Sequence, residues 1–162
     1  MSGDLWATPQ WLFDWACEHY GNFDLDVCAQ MNTAKVLKFY SVEEDGLSQE
    51  WGDLNWCNPP YSDPMPWIEK AGASASFGKR TVLLLPADLS TKWAKLAWSL
   101  SDEIKILNHR VKFEGATGSP KFSSMFVRIP SVRHGRYFGD PRVSLIDLRE
   151  YKTCWEIEGE GR

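Results

Sequence analysis

The sequence predicts a single α/β domain, an open and mostly parallel sheet with helices on both faces and one late antiparallel strand. Three observations carry this expectation. Short apolar runs of strand character alternate with segments of helical spacing along the 162 residues. One run, Thr81-Val82-Leu83-Leu84-Leu85, is apolar almost throughout, as a central strand covered on both faces must be. No linker rich in Pro, Gly or Ser divides the chain, and its length suits one domain.

Each element has a local reason. Gln10–Tyr20 places Trp11, Leu12, Trp15 and Ala16 on one helical stripe, with Pro9 in the first turn, Thr8 as N-cap and Gly21-Asn22 as the stop. Phe23–Ala29 (FDLDVCA) reads as a short buried strand, Val36–Val42 as a second strand, and Glu43–Gly46 as a turn. Leu54–Cys57 is a strand that runs into Asn58-Pro59-Pro60-Tyr61, where the prolines end it and force an extended loop. Pro66–Phe77 is a helix, and Ser90 caps another through Leu100. Glu103–Leu107 and Ser124–Ile129 are strands, and Val143–Leu148 adds an edge strand. In such sheets ligands bind beyond the carboxyl ends of strands, which here are Asp26–Ala29, Asn58–Tyr61 and Pro86–Asp88.

Composition narrows the function classes. No stretch approaches the 18 apolar residues of a membrane span, and Met1-Ser2-Gly3-Asp4 opens no signal run. Cys17, Cys28, Cys57 and Cys154 form no C-x-x-C pair, so neither a zinc site nor a disulfide framework is expected, and reduced packing cysteines fit a cytoplasmic protein. His19, His109 and His134 are scattered and suggest no triad or metal cluster. The net charge of −4 hides an asymmetry. Residues 1–78 carry 3 Lys/Arg against 12 Asp/Glu, whereas residues 79–142 carry 12 against 5. A basic later segment, with Arg110, Lys112, Lys121, Arg133 and Arg136, suits contact with a polyanion.

The Asn58-Pro59-Pro60-Tyr61 loop carries the chemistry. An exocyclic amine on a planar base is a poor nucleophile because its lone pair is conjugated into the ring. Two acceptors that hold its N–H groups localise that lone pair. The Asn58 side-chain oxygen and the Pro59 carbonyl can be those acceptors. Two consecutive prolines stiffen the loop, and Tyr61 offers a face on which a base can stack. A base so treated must leave its duplex.

With these residues in view, the chain resembles the phage-type DNA N6-adenine methyltransferases, a compact Dam-like family of the Rossmann-like class I methyltransferase fold. The resemblance runs from about Trp6 to about Val127. It rests on Trp6-Ala7-Thr8-Pro9, Phe23–Ala29, Asp45-Gly46-Leu47, Trp51 through Asn58-Pro59-Pro60-Tyr61, Leu83–Ala87 and Arg110-Val111-Lys112-Phe113. It implies methylation of adenine N6 in DNA with S-adenosylmethionine as donor, whose sulfonium charge makes a metal unnecessary. It implies that Trp6, Thr8 and Pro9 form the N-terminal cofactor element, the Thr8 hydroxyl reaching the methionine carboxylate. Asp26, Cys28 and Ala29 would lie against the methionine and ribose, Asp45 and Leu47 against the cofactor adenine, and Phe113 near the flipped base. It also implies a phage- or prophage-encoded enzyme in a bacterial host, one methyltransferase domain over 1–162 without a separate target-recognition domain. The family's glycine-rich loop is absent, since Val27-Cys28-Ala29-Gln30-Met31-Asn32 follows Asp26.

Other readings stay open on the residues alone. Thr8 fits a helix cap, Asp26 a strand-end turn and Phe113 a core position. The same loop would suit an RNA base, a protein glutamine or cytosine N4, and a degenerate module could grip nucleic acid without catalysis. Oligomeric state and recognition sequence are not written in these residues.

Overall fold

The computed structural model describes residues 6–118, 120–132 and 139–159. These form α1 (Gln10–Tyr20), β1 (Leu25–Asp26), β2 (Leu54–Cys57), α2 (Met65–Ala75), β3 (Arg80–Pro86), α3 (Lys92–Leu100), β4 (Glu103–Leu107), β5 (Ser124–Ile129), β6 (Arg142–Ile146) and α4 (Arg149–Gly159). The strands make one sheet in the order β1-β2-β3-β5-β4-β6. β1, β2 and β3 pair in parallel, β5 is antiparallel to both β3 and β4, and β4 pairs in parallel with β6. One strand of the six, β5, therefore runs against the rest, which is the expected mostly parallel α/β sheet with a late reversed strand.

Alternation along the strands makes two cores. Trp56, Val82, Leu84 and Phe126 pack with Leu12, Phe13 and Ala16 of α1. Cys57, Leu83, Leu85, Met125 and Val127 pack with Ile68 and Ala71 of α2 and Ala97 of α3 on the opposite face. Val82, Leu83, Leu84 and Leu85 are all fully buried, so each removes its whole apolar surface from water, at roughly 1.5–3 kcal/mol per side chain.

Four local expectations are corrected. The N-cap of α1 is Pro9, with no side-chain cap, so Thr8 is free for another role. The cap of α3 is Thr91, whose hydroxyl accepts from the Ala94 amide at 3.2 Å, and not Ser90. Phe23–Ala29 contributes only the two-residue β1. Val36–Val42 is no strand, because it meets β1 at a single bridge, Asp26 with Phe39, and leaves Leu37 and Val42 exposed. One helix was not expected from the sequence: α4 follows β6 and packs Tyr151 and Trp155, both only partly buried, against the first core.

No helix among the described residues is long and apolar enough to cross a membrane.

Candidate active site

The carboxyl ends of β1 and β2 lie side by side, with Asp26 paired to Trp56 in register. Between these strands the chain makes a long excursion without helix or strand, residues 27–53, and long structureless connections in compact domains are commonly binding loops. The loop is pinned where it returns. Tyr40 donates its amide to the Asp26 carbonyl at 2.9 Å, and Ala29 donates to Tyr40 at 3.0 Å. The Trp51 indole donates to the Gly46 carbonyl at 2.8 Å. Asp45 takes a left-handed backbone (φ 53°), and its carboxylate accepts from the Leu47 amide at 3.3 Å.

The result is a cleft of about 290 Å³ beyond these strand ends. Trp6, Tyr40 and Trp67 give it aromatic walls, and Asp26, Asp45 and Lys35 give it charge. Of the residues the sequence assigns to a cofactor, Trp6, Thr8, Asp26, Cys28, Ala29 and Asp45 line it together with Asn58 and Pro60. Pro9 and Leu47 do not: Pro9 is buried under the first turn of α1, where its carbonyl accepts from Leu12 and Phe13 at 3.1 Å each, and Leu47 is half-buried beside the cleft.

Asn58 follows β2 directly, and its side-chain orientation is set by its partners. The Nδ2 group donates to the Trp6 carbonyl at 3.2 Å and to the Thr8 hydroxyl at 3.1 Å. A carbonyl can only accept, so the nitrogen must face the Trp6–Thr8 segment. Oδ1 is then left as the outward acceptor. Pro59 is buried, and no backbone amide among the described residues donates to its carbonyl. Tyr61 sits edge-on against Phe113 (6.0 Å, 82°) and Phe122 (5.6 Å, 77°). Its hydroxyl is buried without a hydrogen-bond partner among the described residues, and burial pushes its pKa well above the ordinary phenol value.

Asp26 is 2% exposed. Burial raises its carboxyl pKa to about 7, although amides of Lys35 (3.0 Å) and Cys28 (3.4 Å) donate to it and favour the charged form. Cys28 rises to about 12 from burial and from the Asp26 charge, so it is no ready nucleophile. The buried stem of Lys35 brings its ammonium to the Gln10 side-chain oxygen (3.4 Å) and near Glu114 (3.7 Å).

The expected substrate residues are spread outside the cleft. Residues 110–114 alternate outward and inward, so Arg110 and Lys112 are exposed while Val111 and Phe113 are buried. Phe113 stacks on Trp6 at 5.8 Å and supports Tyr61, so it backs the site from beneath. Lys121 is exposed. Arg133 and Arg136 lie outside the described residues. Part of the basic segment is neutralised within the fold: Arg128 makes two bonds to Asp102 (2.9 and 3.2 Å), and Arg142 meets Glu103 at 2.5 Å. Among the described residues Arg110, Lys112 and Lys121 enter no ion pair.

Sequence reasoning passed over Lys35, Tyr40 and Trp67 as cleft residues. Their segment reads as strand and helix, and only tertiary folding turns those faces to one cavity. No group of three or more His, Cys, Asp or Glu side chains that could hold a metal occurs among the described residues.

Residues 1–145 match the family model described as DNA N-6-adenine-methyltransferase (Dam). The DNA N-6-adenine-methyltransferase of Haemophilus phage HP1 is 41% identical over 114 residues, covering 68% of this chain and 66% of that one. The protein of the same name from Escherichia phage T1 is 39% identical over 92 residues, covering 56% of this chain and 39% of that one. The chain thus spans less than two thirds of each of these relatives. The solved structure of the M protein of the type I restriction enzyme EcoKI aligns with a TM-score of 0.43 at 10% identity, over 83% of this chain and 32% of that one.

Proposed function

Since the chain belongs to the DNA N-6-adenine-methyltransferase (Dam) family, we propose that it methylates the N6 amino group of adenine in DNA, using S-adenosylmethionine and a base flipped against Asn58-Pro59-Pro60-Tyr61. The observation that carries this reading is the orientation of Asn58. Its two N–H groups are spent on Trp6 and Thr8, which leaves Oδ1 to accept a hydrogen bond from an amine. With the Pro59 carbonyl as second acceptor, both N–H groups of adenine N6 would be held and the lone pair turned out of conjugation. The same pair of acceptors would disfavour a carbonyl in that place, because two lone-pair groups would face a third.

The donor set of the cleft fits S-adenosylmethionine. Trp6, Tyr40 and Trp67 provide aromatic surface for a purine, Asp26 and Asp45 can accept from ribose hydroxyls or an ammonium, and Lys35 can face a carboxylate. That cofactor supplies a methyl group already activated by a sulfonium charge. The chain's own residues then need only orient the amine, exclude water and take no covalent part. Asn58 gives the strongest help where nitrogen becomes tetrahedral, so it stabilises the transition state more than the bound base. Arg110, Lys112 and Lys121 are exposed and enter no ion pair among the described residues, so they can supply phosphate contacts.

The test is to incubate the protein with S-adenosylmethionine and adenine-containing DNA, digest, and analyse nucleosides by mass spectrometry. N6-methyladenine is expected. Methyl groups found only on cytosine, RNA or a protein glutamine would overturn the substrate assignment. Absence of any thermal shift with the cofactor would overturn its use.

A further inference from the structure

We infer that Lys35 makes the cleft selective for a cofactor that carries a carboxylate and sets which way round it lies, by exchanging a loose contact with Glu114 for that carboxylate. The inference rests on the S-adenosylmethionine reading above and names the group that selects.

Charge is laid out unevenly along the cleft. Among the described residues that line it, Lys35 is the one cation, and Asp26 and Asp45 are the carboxylates. The Lys35 ammonium lies on the α1 side of the sheet, where it meets Gln10. Asp45 precedes Gly46, which packs close against Trp67 of α2 on the other face. S-adenosylmethionine bears its single negative group at the methionine end, away from the purine. The cation of the cleft therefore places that end toward α1 and leaves the purine to the aromatic wall near α2.

Lys35 lacks a close partner for its charge among the described residues. Its side chain is 8% exposed, yet the ammonium finds the Gln10 side-chain oxygen at 3.4 Å and Glu114 at 3.7 Å. A charge-assisted bond of this type is about 2.7–2.9 Å long, so both contacts are loose, and a desolvated ammonium held loosely is costly. Glu114 can release it cheaply. Its other oxygen accepts from the Gln10 amide at 3.3 Å, at the N-terminus of a helix that has no side-chain cap from Pro9. More than half of the Glu114 side chain is exposed, so water takes the place of Lys35. A ligand carboxylate gives Lys35 the short bond it lacks. A ligand without one sets its ammonium and sulfonium in the same cleft as an unanswered cation.

Decarboxylated S-adenosylmethionine lacks this one group and is the probe. In titration calorimetry the parent should prefer S-adenosylmethionine by about ten- to a hundredfold, the worth of one charge-assisted hydrogen bond. Lys35→Met should lose the preference by weakening S-adenosylmethionine alone, with the decarboxylated ligand bound at least as tightly as by the parent. Glu114→Gln keeps an acceptor for the Gln10 amide and removes the competing charge, so it should bind S-adenosylmethionine no more weakly than the parent. Equal loss of both ligands in Lys35→Met, or no loss of either, would overturn the inference. So would a Glu114→Gln variant as impaired as Lys35→Met, since the two residues would then matter only as an ion pair of the fold. The parent needs no variant to fold: equal affinity for the two ligands sinks the inference and leaves the cofactor reading standing, whereas affinity for neither sinks both.

Discussion

A Cβ placed on Gly46 would lie 2.1 Å from the Val27 carbonyl oxygen and 3.3 Å from the Trp67 ring. The return of the long loop over the end of β1 is therefore possible only with a bare α-carbon, and the backbone cannot give way as a flexible side chain would. Gly46→Ala should displace the loop that carries Asp45 and lines the cleft. The expected cost is about 2 kcal/mol or more, from overpacking against backbone, which is a fall in Tm of several degrees for a chain of this size. Thermal unfolding with and without S-adenosylmethionine checks both halves, since the stabilisation given by the cofactor should shrink in the variant.

The buried Asp26 makes stability and cofactor binding depend on pH. Its carboxyl, raised to about 7 by burial, stands above the ordinary value of about 4. Between those values the folded chain keeps a proton that the unfolded chain has released. Stability from this group is thus full below about pH 4 and is lost as pH rises through about 7. A ligand carrying an ammonium or sulfonium favours the ionised form, so S-adenosylmethionine affinity should rise with pH up to about 7 and then level. Titration calorimetry across pH 5.5–8.5, as roughly tenfold steps per unit at the low end, checks this, and Asp26→Asn should flatten the profile.

Arg110 and Lys112 stand outward on a segment whose alternate residues, Val111 and Phe113, are buried. Their removal should leave the core intact. The pair Arg110→Ala and Lys112→Ala should weaken DNA binding uniformly across sequences and lower the slope of log K against log salt by about one to two. Cofactor affinity should not change. Filter binding or fluorescence anisotropy at several salt concentrations measures it.

Much of this architecture could be read from the chain because the signals were local. The TVLLL run became β3 and the LNWC run became β2, each within one residue, and Asn58 falls directly after β2 as its prolines required. What failed to show was settled by tertiary partners. Val36–Val42 has strand composition, but its neighbour β1 is only two residues long and offers one bridge. Thr8 has the chemistry of a cap and an address before a helix, yet its hydroxyl is taken by a residue 50 positions away. The charge asymmetry was visible, but not that Arg128 and Arg142 spend their charge on Asp102 and Glu103.

Tyr61 has a hydroxyl that finds no partner among the described residues. A buried polar group of this kind costs about 1–3 kcal/mol relative to one that is satisfied. Tyr61→Phe should therefore be neutral or stabilising, and should retain methyl transfer close to the parent rate. Tyr61→Ala removes the ring wedged against Phe113 and Phe122, and should destabilise the protein and weaken capture of the base. A Tyr61→Phe variant with a large loss of kcat would mean that the hydroxyl does take part in the reaction.

Asn58 offers the sharpest test of the catalytic loop. Asn58→Ala removes the outward acceptor and both inward donors, but the side chain is only half-buried, so water can replace those bonds and the fold should survive. Loss of one preorganised hydrogen-bonding group that acts mainly in the transition state typically costs ~10²–10³ in rate, by analogy with oxyanion-hole donors. The loss should appear in kcat with cofactor affinity unchanged. Asn58→Asp is expected to differ. The carboxylate keeps an acceptor facing the base, and the Thr8 hydroxyl can reverse its role and donate to the other oxygen. The Trp6 carbonyl cannot reverse, so one oxygen–oxygen repulsion remains where Asn58 has a bond of 3.2 Å. Asn58→Asp should therefore retain measurable activity, below the parent and above Asn58→Ala. Single-turnover methylation of a labelled duplex, at saturating cofactor, ranks the three. If Asn58→Ala comes within about tenfold of the parent, the loop holds the base by other means, and the acceptor assigned to Asn58 is wrong.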